Sequence, residues 1–472
     1  MVKKKITRTQ YITENAEIIM GQSNIEKWDW KYALLRKYVN FSFRCYFKSV
    51  TIQGKENIPL DAPVIFAPNH QNALIDALTL VYAVKDQPVF LARSDIFRKK
   101  PIARILTFLK ILPIYRIRDG YENLKLNDYI MNKVRDILMK EHCLVMFPEG
   151  NHGGKRQLRP LKKGITRIAF QAEEHADFNL GIRIIPVGLD YSNYYNFNED
   201  LFINFGKPIE ISEFFELYKS NHSKANLALR NKLADELKKY MVHIDIKGYY
   251  ETVNQIRNLF LHKIQELLNL PNLKQPNKFI ADKKLIQICE KAYDRSPDEM
   301  DNMAGEVKEY SNSLDKEKIN HRDIKKKIPP VQNILAESLL LTLLSPLFIY
   351  GWINNLPAYY PAHYFSLKMK DPQFISSIKY GVGFITFPLF YTLQTILFYQ
   401  FSSNIYISLL YLLSIPLTGL LAFKYRNALK RLREKIRIRK IYINNPDLYQ
   451  KLREQNTRIA STLEKWIKSF DA

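Results

Sequence analysis

The sequence predicts an α/β fold, a mostly parallel sheet covered by helices, with an α-helical extension and C-terminal membrane helices appended to it. Between Val50 and Glu210 short apolar runs alternate with helix-like stretches, the pattern of strands joined by crossover helices. From Ser212 to Lys327 the chain turns long, charged and poor in glycine. Beyond it lie three apolar stretches, Leu335 to Ile353, Ile378 to Tyr399 and Ile405 to Phe423. A chain of 472 residues exceeds what one ordinary domain needs.

Taken in order, the first twenty residues, MVKKKITRTQYITENAEIIM, are charged and polar. A signal peptide needs an apolar core of about 7 to 15 residues, so nothing here predicts export. Residues 1–50 form a basic amphipathic segment whose helix, Ile25 to about Val50, sets Trp28, Tyr32, Leu35, Tyr38 and Val39 among Lys27, Lys31, Arg36, Lys37 and Arg44. Such a helix serves either to pack on its own domain or to lie among lipid headgroups. Residues 51–211 make the α/β domain. Its candidate strands are Val64–Ala67, Pro88–Ala92, Leu112–Arg116, Cys143–Phe147, Ile184–Leu189 and Leu201–Phe205. Its candidate helices include Ala73–Val84, Pro101–Leu109, Leu124–Lys140 and Gly164–Glu174.

Residues 212–330 are the helical extension, with helices such as Lys224–Tyr240, Tyr249–Leu268 and Lys283–Tyr293, and a stretch from Ser296 to Lys327 polar enough to be partly mobile. Residues 331–424 are membrane-associated. The last two apolar stretches hold no acidic residue and have the length, about 20 residues, that crosses a hydrocarbon core. Residues 425–472 form a basic cytoplasmic helical tail, which opens inside KYRNALKRLREKIRIRK, Lys424 to Lys440, where nine basic residues face the single Glu434. Both this cluster and Lys325–Lys327 belong on the cytoplasmic side, which requires an even number of crossings between them. A hairpin over 378–423 satisfies that, with Leu335 to Ile353 not crossing.

Lys+Arg 71 against Asp+Glu 47 gives a net charge of +24, a surface suited to nucleic acid or anionic lipid. No helix-turn-helix, zinc or RNA-recognition signature accompanies that charge, which argues against a nucleic-acid partner and for anionic membrane lipid. The three cysteines, Cys45, Cys143 and Cys289, are too dispersed for a disulfide framework or a structural zinc site.

Two segments carry chemistry. APNHQNALID, Ala67 to Asp76, puts Asn69 and His70 after a candidate strand and Asp76 at the start of a candidate helix, where active sites gather in α/β sheets. An imidazole there acts as a general base when a carboxylate fixes its tautomer. MFPEGNHGGKRQLRPLKKG, Met146 to Gly164, is a second strand end that runs into a glycine-rich loop. There Lys155, Arg156, Arg159, Lys162 and Lys163 supply positive charge around backbone amides able to converge on an anion. Glu149 is the odd acid in it.

Together these segments resemble the glycerolipid acyltransferases, the family of the lysophosphatidate and glycerol-3-phosphate acyltransferases. The resemblance rests on four blocks in order: Asn69-His70 with Asp76; LPIYR, Leu112 to Arg116; Phe147-Pro148-Glu149-Gly150 with LKKG beyond; and IIPVG, Ile184 to Gly188. Two departures stand out. Five residues separate His70 from Asp76 where the family has four, and Asn151-His152-Gly153 replace Thr-Arg-Ser, which removes a cation from the phosphate site.

The resemblance implies acyl transfer from a coenzyme A or acyl-carrier-protein thioester to a hydroxyl of glycerol-3-phosphate or 1-acylglycerol-3-phosphate, in phospholipid biosynthesis. His70 would be the base and Asp76 its partner. Arg116, Glu149 and Gly150 would hold the acceptor, Pro186 would shape the site, and Asn69, Lys162 and Lys163 complete the candidate substrate-binding set. No cofactor or metal is needed beyond the thioester co-substrate. The implied location is the cytoplasmic face of a bacterial inner membrane. Two alternatives stay open: an O-acyltransferase of an amino-acid-containing lysolipid, and a non-catalytic lipid-binding scaffold of the same fold.

Overall fold

The computed structural model describes residues 25–97, 99–115, 121–325 and 327–471, which leaves Arg116 outside the described residues. The chain divides into two compact units. The first comprises Met1–His243 and Asp371–Ser377, the second Ile244–Lys370 and Ile378–Ala472.

The first unit is built on an eight-stranded sheet: β1 Ser49–Gln53, β2 Val64–Pro68, β3 Val89–Arg93, β4 Ile111–Ile114, β5 Leu144–Met146, β6 Arg183–Tyr191, β7 Asp200–Phe205 and β8 Ile209–Glu210. The spatial order is β1-β7-β6-β2-β5-β3-β4, with β8 beside β6. β6 runs antiparallel to β7 and β8, and every other neighbouring pair is parallel. Helices flank it: α1 Trp30–Tyr46, α2 Ala73–Ala83, α3 Lys100–Phe108, α4 Tyr121–Met139, α5 Gly164–His175, α6 Phe215–Ser220 and α7 His222–Tyr240. The β-branched and aliphatic runs VIFAP, LVM and IIPVGLDY are buried along their whole length, as strands covered on both faces must be. Ile65, Leu144, Ile168, Phe170 and Ile184 meet in the main core.

Three expectations need correction here. The helix drawn from Ile25 to Val50 stops at Tyr46, and Ser49-Val50-Thr51-Ile52-Gln53 instead forms β1, an edge strand whose β-branched residues suit a pleated surface. The charged helix at 224–240, assigned to the extension, belongs to the first unit. Ala225, Leu229, Leu233 and Leu237 recur every fourth residue on one face of α7 and join the core beneath the sheet. The stretch from Ser296 onward, expected to be partly mobile, is the regular helix α10, Pro297–Glu317. Ser296 caps it, Pro297 opens it, and Met300, Met303, Val307, Tyr310 and Leu314 form a buried stripe along it.

In the second unit α10 packs with α8 Tyr250–Leu267, α9 Asn277–Arg295, α11 His321–Lys325 and the last helix, α15 Pro446–Asp471. Trp466 of α15 is buried, and its indole N–H donates to Glu299 at 3.1 Å. Three helices of this unit, α12 Val331–Leu367, α13 Ile375–Ser402 and α14 Ile405–Asn444, are long and apolar enough to cross a membrane. α14 carries the polybasic run as its second half, so apolar and basic segments share one continuous helix. Asn354 and Asn355, polar residues inside apolar α12, are satisfied there: the Asn355 amide donates to Ile415 O at 3.0 Å and Tyr411 donates to Asn354 at 2.6 Å.

β6 and α7 meet at Gly188, where an added Cβ would lie 1.7 Å from the Tyr240 carbonyl oxygen. Backbone atoms cannot rotate away from such a clash. Gly188→Ala is therefore expected to destabilise the first unit by about 2 to 4 kcal/mol. Thermal unfolding of the purified variant beside the wild type measures this, and an unchanged midpoint would refute the close approach.

Candidate active site

The site lies where the parallel strands β2, β3 and β5 end, at their carboxyl edge. After Pro68 the chain leaves β2 through Asn69, which clasps β6. Its N–H donates to Val187 O, its side-chain amide donates to Leu189 O, and its Oδ1 accepts from the Leu189 N–H at 2.6 Å. With that clasp made, His70, Gln71 and Asn72 form a turn and α2 starts at Ala73. Ala73 takes a positive φ of 40°, the left-handed region that L-residues rarely occupy. The intervening residue beyond the family spacing is absorbed in this turn, so His70 precedes the helix and Asp76 sits in its first turn.

His70 Nδ1–H donates to Asp76 Oδ2 at 2.9 Å. The same carboxylate, fully buried, accepts from the amides of Gln71 at 2.8 Å and Asn72 at 2.7 Å, and Tyr191 donates its hydroxyl to Oδ1 at 2.7 Å. Burial, with the Asp76 carboxylate beside it, pushes the Tyr191 hydroxyl pKa well up, so it stays a donor. The His70 side chain keeps 15% of its surface exposed, and Nδ1–H on Asp76 leaves Nε2 as the basic nitrogen. Phe147 stacks on the imidazole at 4.1 Å between ring centroids.

The second loop closes on the first. Glu149 accepts from the His70 N–H at 2.7 Å and the Arg159 N–H at 3.1 Å, while Gly153 N–H donates to His70 O at 3.0 Å. Gly150 has φ +66° and an added Cβ would press on Lys162, so glycine is required for this turn. His152 stands edge-on to His70 at 5.6 Å between centroids. Burial and the nearby His70 hold its pKa below the ordinary histidine value, with Asp371 pulling the other way. Arg93, at the end of β3, pairs with Asp95 and donates to Asn151 at 3.1 Å. An imidazole held by a buried carboxylate, with Nε2 left to accept a proton, is an arrangement able to act as a general base.

A family model described as Acyltransferase matches residues 49–190, from β1 to the end of β6. Residues 49–190 are an acyltransferase domain. The chain is also similar to an uncharacterised acyltransferase of Schizosaccharomyces pombe, 34% identical over 94 residues, covering 20% of this chain and 14% of that protein. It is similar to glycerol-3-phosphate O-acyltransferase 1 of Saccharomyces cerevisiae, 22% identical over 326 residues, 50% of this chain and 42% of that protein. A third relative is 1-acyl-sn-glycerol-3-phosphate acyltransferase alpha of Mus musculus, 25% identical over 160 residues, 34% of this chain and 51% of that protein. The chain thus spans less than half the length of the first two.

Within the acyltransferase domain the expected residues divide. His70, Asp76 and Glu149 converge. Asn69 is fully buried and turns its side chain to β6 and Gln71, so the expectation of a substrate contact is corrected to a clasp. Pro186 is buried mid-strand opposite Ala67 of β2, its carbonyl held by Gly206 N–H at 2.8 Å. Lys162 and Lys163 have exposed side chains at the entry to α5. Arg156, counted among the loop cations, turns inward to donate to Tyr191 O at 2.6 Å and lies 3.5 Å from Asp190. Tyr191, Arg93 and the segment from Asp371 carry no mark in the sequence, since each reaches the site only through tertiary packing. The one available signal was Tyr191 ending the strand that holds the fourth block.

Desolvation raises the buried Glu149 to about 7 from 4.5, against the two amides that favour its ionised form. An acid with a raised folded pKa binds its proton more tightly folded than unfolded. Its contribution to stability is full below about pH 4.5 and is lost as pH rises through about 7. Relative to Glu149→Gln, which does not titrate, wild type should lose stability across that window by up to roughly 3 kcal/mol. Unfolding midpoints of both proteins between pH 4.5 and 8 check this, and a relative gain by wild type would show that the amides win.

Proposed function

We propose that the protein is a membrane-bound glycerolipid acyltransferase that moves a fatty acyl group from a coenzyme A or acyl-carrier-protein thioester to a hydroxyl of glycerol-3-phosphate or 1-acylglycerol-3-phosphate. The observation that carries this reading is the His70–Asp76 pair at 2.9 Å, placed in the matched domain at the carboxyl edge of the sheet. His70 Nε2 takes the proton of the acceptor hydroxyl as its oxygen attacks the thioester carbonyl carbon. Asp76, fixed by its other donors, stabilises the imidazolium. The C–S bond then breaks and the leaving thiolate takes the proton back from His70. A thioester is activated enough that one positioned base suffices, and no covalent enzyme intermediate is needed. Arg159, with Lys162 and Lys163 beyond it, favours an acceptor that carries phosphate.

The membrane assignment follows the same logic, since acyl chain and product partition into lipid while thioester carrier and phosphate stay in water. Among the described residues all three membrane-length helices lie after Pro330. Lys327 and the cations before it precede α12, and Asp371–Ser377, after α12, belongs to the catalytic unit. In this reading α12 does not cross, which keeps the number of crossings between the cations before it and the polybasic half of α14 even. α13 and α14, joined by Ser403 and Asn404, then cross as a hairpin, which returns the polybasic half of α14 to the cytoplasmic face beside anionic lipid.

His70→Ala is expected to lower turnover at least about 10²-fold, and Asp76→Asn comparably because the two act as one unit. Labelled acyl donor with a panel of glycerol-phosphate and lysolipid acceptors, assayed on membranes, reads this out. Turnover within a few-fold of wild type in either variant would sink the dyad. The hairpin predicts that an impermeant thiol reagent applied to intact cells labels Ser403→Cys and not Lys440→Cys. The reverse pattern would overturn the topology.

A further inference from the structure

The acyltransferase match ends at residue 190, yet the site is finished by residues nearly two hundred positions later. Asp371–Ser377 joins α12 to α13 and includes the first residues of α13, and it belongs to the catalytic unit rather than to the helices on either side of it. Its contacts fall on the two loops that build the site. Ser376 and Ser377 are almost fully buried. Ser376 donates its hydroxyl to Asn72 Oδ1, and Ser377 Oγ accepts the Leu74 N–H at 3.2 Å. At the other end Asp371 lies 3.3 Å from His152 Nε2, with Phe374 edge-on to the same ring at 4.8 Å.

The start of α2 explains why these contacts matter. The first N–H groups of a helix lack intrahelical acceptors and need a cap. The residue at the capping position, Asn72, makes no side-chain cap. Its Oδ1 is committed to Ser376, and Ser377 supplies to Leu74 N–H the acceptor that a local cap would give. That uncapped start is where Ala73 holds its left-handed conformation, between His70 and Asp76. A cap brought from a remote segment therefore stabilises the turn that sets the His70–Asp76 distance.

We propose that Ser377, with Ser376, is a positioning residue for the His70–Asp76 dyad, and that Asp371 positions His152 beside it, so that the junction between two membrane-length helices is part of the active site. The inference rests on the acyltransferase reading for its kinetic test. Its structural half stands without that reading, since the reactivity of His70 toward an acylating reagent needs no substrate. The junction belongs to the catalytic unit and is continuous in sequence with α12 and α13.

The test uses the full-length protein. Ser377→Ala, Ser377→Thr and Asp371→Asn are each compared with wild type for kcat, for acceptor KM and for the rate at which diethyl pyrocarbonate modifies His70 and His152, followed by peptide mass. Loss of a cap displaces the turn, so Ser377→Ala should lower kcat about three- to tenfold with KM nearly unchanged, and should speed modification of His70. Ser377→Thr, which keeps the hydroxyl, should restore both. Asp371→Asn should raise acceptor KM severalfold and speed modification of His152 while leaving kcat within about twofold. Unchanged kinetics and reactivity in the alanine and asparagine variants would overturn the proposal. Equal loss in Ser377→Ala and Ser377→Thr, in step with a lower unfolding midpoint, would overturn it too by reducing the role to general packing. Wild type that turns over no acceptor, with the reactivity pattern intact, would instead overturn the acyltransferase reading alone.

Discussion

The rest of the site depends on one buried carboxylate. Asp76 has no exposed surface and accepts from the His70 ring, two backbone amides and the Tyr191 hydroxyl. A charge without partners would be intolerable there, and four donors make it tolerable. Each donor is then itself fixed: the amides of Gln71 and Asn72 define the turn, Tyr191 ties the turn to the end of β6, and the imidazole has one orientation left. The start of α2 contributes a favourable field as well, since Asp76 lies in its first turn. Catalytic geometry is here a consequence of satisfying a buried ion.

Glu149 plays the corresponding part for the second loop, and the contrast between the two acids is instructive. Asp76 accepts four hydrogen bonds and Glu149 two, one on each oxygen, and burial pushes the Glu149 carboxyl up. It binds the His70 backbone to that of Arg159, which ties the two loops together. Gly150, at φ +66°, turns the chain directly after Glu149, and Gly153 N–H donates to His70 O. An acid inside a basic loop looked anomalous in the sequence. In the fold it is a clamp that stays out of the solvent-facing rim.

What the sequence revealed follows from how local each signal is. The burial of the strands and the order His70, Asp76, Glu149 were legible because strands covered on both faces read as apolar runs and because the blocks lie at strand ends. β1 was missed because a strand of five residues after an amphipathic helix continues its apolar pattern. α7 was misassigned because its exposed faces are highly charged, although one leucine stripe decides where it packs. The inward turn of Arg156 toward Tyr191 and Asp190 had no local signature at all. Tyr191 and Ser377 belong to the same class, since a hydroxyl means nothing until the chain brings an acceptor or an amide to it.

The arrangement also answers why so basic a chain should carry its charge where it does. An anionic bilayer surface repels an anionic acceptor and an anionic thioester carrier, and at physiological salt that field reaches about 8 Å into solution. The run of nine cations in α14 directly follows an apolar segment, while Arg159, Lys162 and Lys163 border the site itself. The first set lies along a membrane-length helix and the second around the His70–Asp76 pair. Burying Glu149 keeps the one acid of the loop from cancelling the second set, and turning Arg156 inward converts a rim cation into a brace for the strand that holds Tyr191. Net charge alone could not separate these roles, because it counts a solvent-facing lysine and a buried arginine alike; only position divides a cation that recruits substrate from one that holds the fold.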